Sequence, residues 1–152
     1  MRCPFCGTTQ IMVVNSRPTN SGIRIWRRRK CLKCKGTFTT YERINPSHLI
    51  VVKKSGKHQK YSRAKLYSSI YHSSIYKKGA DRGEMSQLAE EITNTVERQM
   101  IFSKKKRVST DEINEIVYEI LGKKAPSMLL RYVAYKEGES KKKLKGVIKK
   151  YF

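Results

Sequence analysis

Acidic side chains are scarce in this sequence. Only 12 Asp and Glu stand against 34 Lys and Arg, leaving a formal charge of +22. A surplus of that size exceeds what solubility requires and points to a polyanionic partner, nucleic acid ahead of an anionic membrane surface. Long apolar runs are missing too. Clean runs such as Leu49–Val52 fall far short of the ~18 residues of a membrane span, so no membrane crossing is expected. A cysteine at position 3 leaves no room for an apolar leader behind Met1, and a reducing, cytoplasmic setting is the expectation. Cysteine is absent after Cys34, and His48, His58 and His72 are scattered. No nucleophile–base pairing is legible, which argues against an enzyme.

What is present is unevenly distributed. Residues 1–45 hold all four cysteines and ten Lys/Arg, with Glu42 as the sole acid. Residues 49–137 carry ten acids, and residues 138–152 return to six lysines and one acid. Asn45-Pro46-Ser47 reads as a linker. The expected organisation is therefore a small basic domain over 1–45, a larger domain over 49–137 and a basic tail over 138–152.

Cys3-Pro4-Phe5-Cys6-Gly7 and Cys31-Leu32-Lys33-Cys34-Lys35-Gly36 are two CxxC knuckles with 24 residues between them. Each turns tightly enough to aim two sulfurs at one point, and the glycine that follows lets the backbone bend back. Four thiolates complete a tetrahedral structural Zn2+ site, one ion per chain, with no open position for chemistry. Redox pairs or disulfides are disfavoured because neither knuckle has a βαβ setting. Between the knuckles, Ile11–Asn15 and Ile23–Arg29 flank a Pro18–Gly22 turn, and Thr37–Tyr41 adds a third strand. The pattern is a three-stranded antiparallel zinc ribbon, too small to fold without its metal.

The strand Arg24-Ile25-Trp26-Arg27-Arg28-Arg29-Lys30 leads into the second knuckle. Alternation places Arg27 and Arg29 on one side and Arg28 and Lys30 on the other, so one set can line a DNA groove while the other contacts flanking backbone. Arg17 and Lys33 extend the same surface. Arginine can hold phosphate or guanine edges bidentately. Trp26 either stacks on a base or sugar or plugs the thin ribbon as its lone aromatic.

In the larger domain, Leu49–Val52 reads as a strand that turns through Lys53–Gly56 toward a second strand at His58–Tyr61. Four helical stripes follow: Leu66, Tyr67, Ile70, Tyr71 and Ile75; Met85, Leu88, Ala89, Ile92, Val96 and Met100; Ile113, Ile116, Val117, Ile120 and Leu121; Met128, Leu129, Tyr132 and Val133. Ser109–Glu112 reads as a capping box for the third helix, Gly122 as its end, and Pro126 as the first turn of the fourth. These stripes are assigned to the core. The fold class is α+β, with a β-hairpin plus about four helices behind the ribbon. In the tail, Leu144, Val147, Ile148 and Tyr151 space as one helical face, weakened by Gly146. DNA phosphate, a second protomer and a membrane surface are open as its partners, as is a frayed tail.

MRCPFCG, NSRP, the arginine-rich strand before CLKC, and FTTYERI together resemble the NrdR-type repressors of ribonucleotide reductase genes. In that family a zinc ribbon precedes an ATP-cone domain, and VVKKSG followed by Tyr61–Leu66 is similar to the opening of the cone. The resemblance covers residues 1–136. It implies repression through double-stranded operator DNA, ATP and dATP as effectors, nucleotide-dependent homo-oligomers and a bacterial-type, nucleoid-associated location. By the same resemblance Cys3, Cys6, Cys31 and Cys34 match the zinc ligands, and Arg27, Arg28 and Arg29 match the arginine run. Val52, Lys53, Lys54 and Lys65 match nucleotide-contacting positions. Trp26 and Lys30 stand where the family has arginine and an acid, and Gln59, Lys60, Ser62 and Ala64 also depart from its pattern. The rival reading is a constitutive RNA- or ribosome-associated zinc-ribbon protein with a structural helical domain.

Overall fold

The computed structural model describes residues 1–19, 22, 24–75, 79, 81–137, 145–146 and 148–149. The chain separates into two compact units, Met1–Asn45 and Pro46–Phe152.

In the first unit, β1 (Ile11–Pro18), β2 (Arg24–Cys31) and β3 (Thr37–Arg43) form an antiparallel sheet in the order β1-β2-β3. A register slip between Val13 and Asn15 marks a bulge in β1. The sheet is too thin to bury apolar mass. Among its described residues only Cys3 and Cys31 are fully buried. Phe5 packs edge-on to Phe38 at 6.3 Å, and Phe5 is still 63% exposed. The two knuckles use different devices to turn. Gly7 takes φ +72°, as the sequence suggests, but after the second knuckle Lys35 occupies the left-handed region, at φ 61°. Gly36 serves another purpose: a Cβ there would lie 2.5 Å from the Phe5 ring.

The second unit is built around a real core. After a 3-10 turn (Pro46–His48) come β4 (Ile50–Val52), β5 (His58–Lys60), α1 (Arg63–Ser74), α2 (Arg82–Phe102), β6 (Arg107–Ser109), α3 (Thr110–Lys124) and α4 (Pro126–Glu137). The expected linker therefore folds in part, with Pro46 buried and Leu49 N–H donating to its carbonyl at 2.9 Å. β4 and β5 form the expected hairpin, closed by Gly56 at φ +76°. The sheet also has a third strand. β6 lies parallel to β4 on its other edge, pairing Val108 with Val51.

The helical stripes converge on one core that includes Ile70, Ile92, Val96, Val117, Leu121, Leu129 and Val133. Each such side chain contributes about 1.5–3 kcal/mol. Ile75 is an exception, 39% exposed at the end of α1. Buried serines share the inner face of that helix, each satisfied within it; Ser69 and Ser73 donate to Leu66 and Ile70 carbonyls at 2.8 and 2.6 Å. The capping box forms as read, with Glu112 N–H on Ser109 Oγ at 3.0 Å and Ser109 N–H on Glu112 at 2.7 Å. Gly122 does not end α3. The helix runs on to Lys124, and Ala125 leaves helical backbone because Pro126 follows. The expected tail lies largely outside the described residues, including Leu144, Val147 and Tyr151 of its proposed face. Among the described residues, no helix is long and apolar enough to cross a membrane.

Candidate functional site

The two knuckles bring Cys3, Cys6, Cys31 and Cys34 together, with all four sulfurs within 4.8 Å of one another. Cys3 and Cys34 sulfurs are 3.7 Å apart, and Cys6 and Cys31 sulfurs 3.6 Å. Tetrahedral zinc with ~2.3 Å bonds requires sulfurs about 3.8 Å apart, so the cage fits the ion. The thiols ionise interdependently. Burial opposes ionisation of Cys31, but the Cys34 amide and neighbouring groups lower it to about 6. The Gly36 amide favours thiolate at Cys34, yet desolvation and the adjacent thiols push it up to about 12. Four thiolates at this spacing need a dication, and Zn2+ supplies it.

Strand register sorts the basic residues onto two faces. Ile25, Arg27 and Arg29 sit opposite Glu42, Thr40 and Phe38. On this face Arg27 meets Glu42 at 2.9 Å, and Arg29 meets Glu42 at 3.6 Å and Thr40 Oγ1 at 2.8 Å. The other face has no acid. Arg24, Trp26, Arg28 and Lys30 sit opposite Arg43, Tyr41, Thr39 and Thr37 of β3. Across β1, Arg17 pairs with Trp26, and its guanidinium lies 4.9 Å from the indole centroid. Tyr41 is 61% exposed beside them.

The second unit contains a cleft of about 270 Å3 between the hairpin, α1, α3 and α4. Val51, Tyr61, Leu66 and Ile113 give it an apolar wall, and Lys54, Lys65 and Lys136 give it positive charge. Lys54 lies 3.3 Å from Asp111, and Lys65 donates to Gln59 Oε1 at 3.3 Å. Deep in the cleft the Tyr132 hydroxyl donates to Asn114 Oδ1 at 3.4 Å, and burial pushes that phenol up to about 12. Tyr61 is fixed from behind by donating to Glu97 at 3.1 Å. Arg63 pairs with the same buried carboxylate, with Glu90 at 2.6 Å and with Asn94 Oδ1 at 2.9 Å. Burial alone would lower the Arg63 pKa; Glu90 and Glu97 outweigh it and raise it. This clamp ties the start of α1, and hence Lys65, to α2.

Residues 1–42 match the family described as the N-terminal domain of NrdR-like transcriptional repressors, and residues 49–141 match the ATP cone domain. A "Transcriptional repressor NrdR" of Caldicellulosiruptor bescii is 39% identical over 81% of this chain and 77% of its own length. Its counterpart in Thermosipho melanesiensis is 39% identical over 81% and 78%. That of Pelotomaculum thermopropionicum is 34% identical over 99% and 90%. The chain belongs to the NrdR repressor family. It is a zinc ribbon joined to an ATP-cone, and the α+β reading of the sequence holds.

Within that NrdR frame the expected site residues separate. The four cysteines form one centre. Arg17, Arg24, Trp26 and Arg28 share the acid-free face, whereas Arg27 and Arg29 lie on the face held by Glu42. Lys33 is exposed on the second knuckle. Lys54 and Lys65 line the cleft, while Val52 and Lys53 are not among its lining residues. Alternation along β4 turns Val52 away from the side of the buried, cleft-facing Val51, and Lys53 lies in the turn beyond the strand. The sequence does not mark Asn114 or Lys136 as site residues and assigns Tyr132 only to the core, because each falls on a helical stripe. One signal was available. Asn114 stands three, four and seven residues before Val117, Tyr118 and Leu121, and a polar residue on a buried stripe needs a partner.

Proposed function

We propose that this protein is a zinc- and DNA-binding repressor of ribonucleotide reductase genes, controlled by ATP and dATP through the cone and through homo-oligomerisation. The acid-free face of the ribbon sheet carries the reading. Glu42 neutralises charge on the opposite side, so Arg17, Arg24, Arg28, Lys30 and Arg43 around Trp26 and Tyr41 present a basic surface of one sign. Such a surface attracts a phosphate backbone, and arginine adds the means to read base edges. The cleft supplies the control. Its lysines suit phosphates, and its apolar wall with Asn114 and Tyr132 suits a base. A nucleotide that prefers one assembly changes how many ribbons can engage tandem operator sites.

The test is fluorescence anisotropy with a duplex from upstream of the ribonucleotide reductase genes, a scrambled duplex and an RNA of equal length. Preferential binding to the first, weakened by Arg28→Ala by about 1–3 kcal/mol, is the expected result. Equal binding to all three, or preference for RNA, would reject the repressor reading.

A further inference from the structure

Lys136 stands apart from the other cations of the cleft. It closes α4, on the stripe of Leu129, Tyr132 and Val133, where a lysine normally extends into water. Here the ammonium lies 5.4 Å from the Tyr132 ring centroid and 5.5 Å from that of Tyr135. Lys54 and Lys65 already have polar partners in Asp111 and Gln59. Among the described residues no carboxylate pairs with Lys136, and burial lowers its pKa. The aromatic faces offset only part of that desolvation. Lys136 also occupies a junction. A second, more open cavity adjoins the cleft, and Lys65, Ser69 and Lys136 line both.

We propose that Lys136 binds the phosphates of the nucleotide, acting with Lys65 where the two cavities meet. The last helix then contributes directly to the effector site. A phosphate supplies the counter-charge that no carboxylate among the described residues gives this ammonium, and the tyrosine rings hold its stem in place beforehand. Occupancy would tie the end of α4 to the first turn of α1. The proposal rests on the cleft being the adenine-nucleotide site.

Calorimetric titration of the full-length, zinc-loaded protein with ATP, dATP and adenosine tests it. Lys136→Met keeps the apolar stem against the rings and removes the charge, Lys136→Arg restores charge, and Lys123→Met, at an exposed lysine of α3 outside the cleft, is the control. The expected result is that Lys136→Met weakens ATP and dATP about 10-fold or more, since charge-assisted hydrogen bonds are lost. Adenosine affinity should stay unchanged in that variant. Lys136→Arg should recover most of the triphosphate affinity, and Lys123→Met should lose little. Unchanged ATP binding in Lys136→Met, or equal loss for ATP and adenosine, overturns the assignment while leaving the cleft as the nucleotide site. A wild-type protein that binds no nucleotide removes both.

Discussion

Replacing Arg63 by methionine should do more damage than its place at the start of a helix suggests. The Glu97 side chain is 6% exposed and takes its charge compensation from Arg63, itself 15% exposed. Without the guanidinium, Glu97 keeps the Tyr61 hydroxyl at 3.1 Å and, among the described residues, no cation. Breaking a buried pair by removing one partner costs about 3–5 kcal/mol, because a desolvated charge is stranded. Glu90 is 39% exposed, so its link to Arg63 adds less than about 1 kcal/mol. We therefore expect a loss near 3 kcal/mol, which for a unit of this size lowers Tm by roughly 12 °C or more. The assay is helical circular dichroism on heating at fixed zinc concentration. Arg63→Met/Glu97→Leu should recover most of the loss, since an apolar pair strands no charge. Nucleotide affinity should fall in Arg63→Met as well, because the start of α1, which carries Lys65, loses its tie to α2. A destabilisation below about 1 kcal/mol would refute the argument by showing that Glu97 is solvated or neutral.

Further outcomes follow from the same geometry. Elemental analysis should find one zinc ion per chain, and strong chelation should abolish ribbon structure while the helical signal persists, because the ribbon buries little beyond Cys3 and Cys31. Ser109→Ala removes the cap of α3 and should cost about 1 kcal/mol in urea unfolding. Lys105 first, then the Ser109 backbone, holds the Glu112 carboxyl below its ordinary value. Its contribution is thus present above the ordinary carboxylate range and lost as pH falls through the folded value. Glu112→Gln should flatten that acid limb of urea midpoints, only slightly because the Lys105–Glu112 pair is exposed.

The features that could be read in the sequence were those set by local chemistry. The CxxC spacing located the zinc centre, period-2 alternation separated Arg28 from Arg27 and Arg29, and Ser109–Glu112 announced a helix start. What stayed hidden depends on distant contacts. β6 is three residues long with Val108 as its buried residue, and its parallel partner β4 is more than fifty residues earlier. Nothing local marks such a strand. The cleft follows the same logic. Lys54 and Lys65 lie near a glycine turn and can be read as phosphate ligands, whereas Tyr132 and Lys136 continue a core stripe until the packing of α4 on α1 is known. Glu42 likewise reads as the one acid of a basic domain. Only the register of β2 with β3 shows that it divides the sheet into a neutralised face and an open one.

The central claim is that nucleotide at the cone and DNA at the ribbon are coupled, and reciprocity gives its most direct test. ATP and dATP should be titrated calorimetrically into the zinc-loaded protein with and without saturating operator duplex, while the assembly is sized in parallel. A coupling of ~1–3 kcal/mol predicts that the duplex shifts the affinity for one nucleotide 5–150-fold, with a matching shift in duplex affinity when that nucleotide is present. Identical nucleotide affinities in the presence and absence of operator would contradict the account, leaving two binding units that share a chain without communicating.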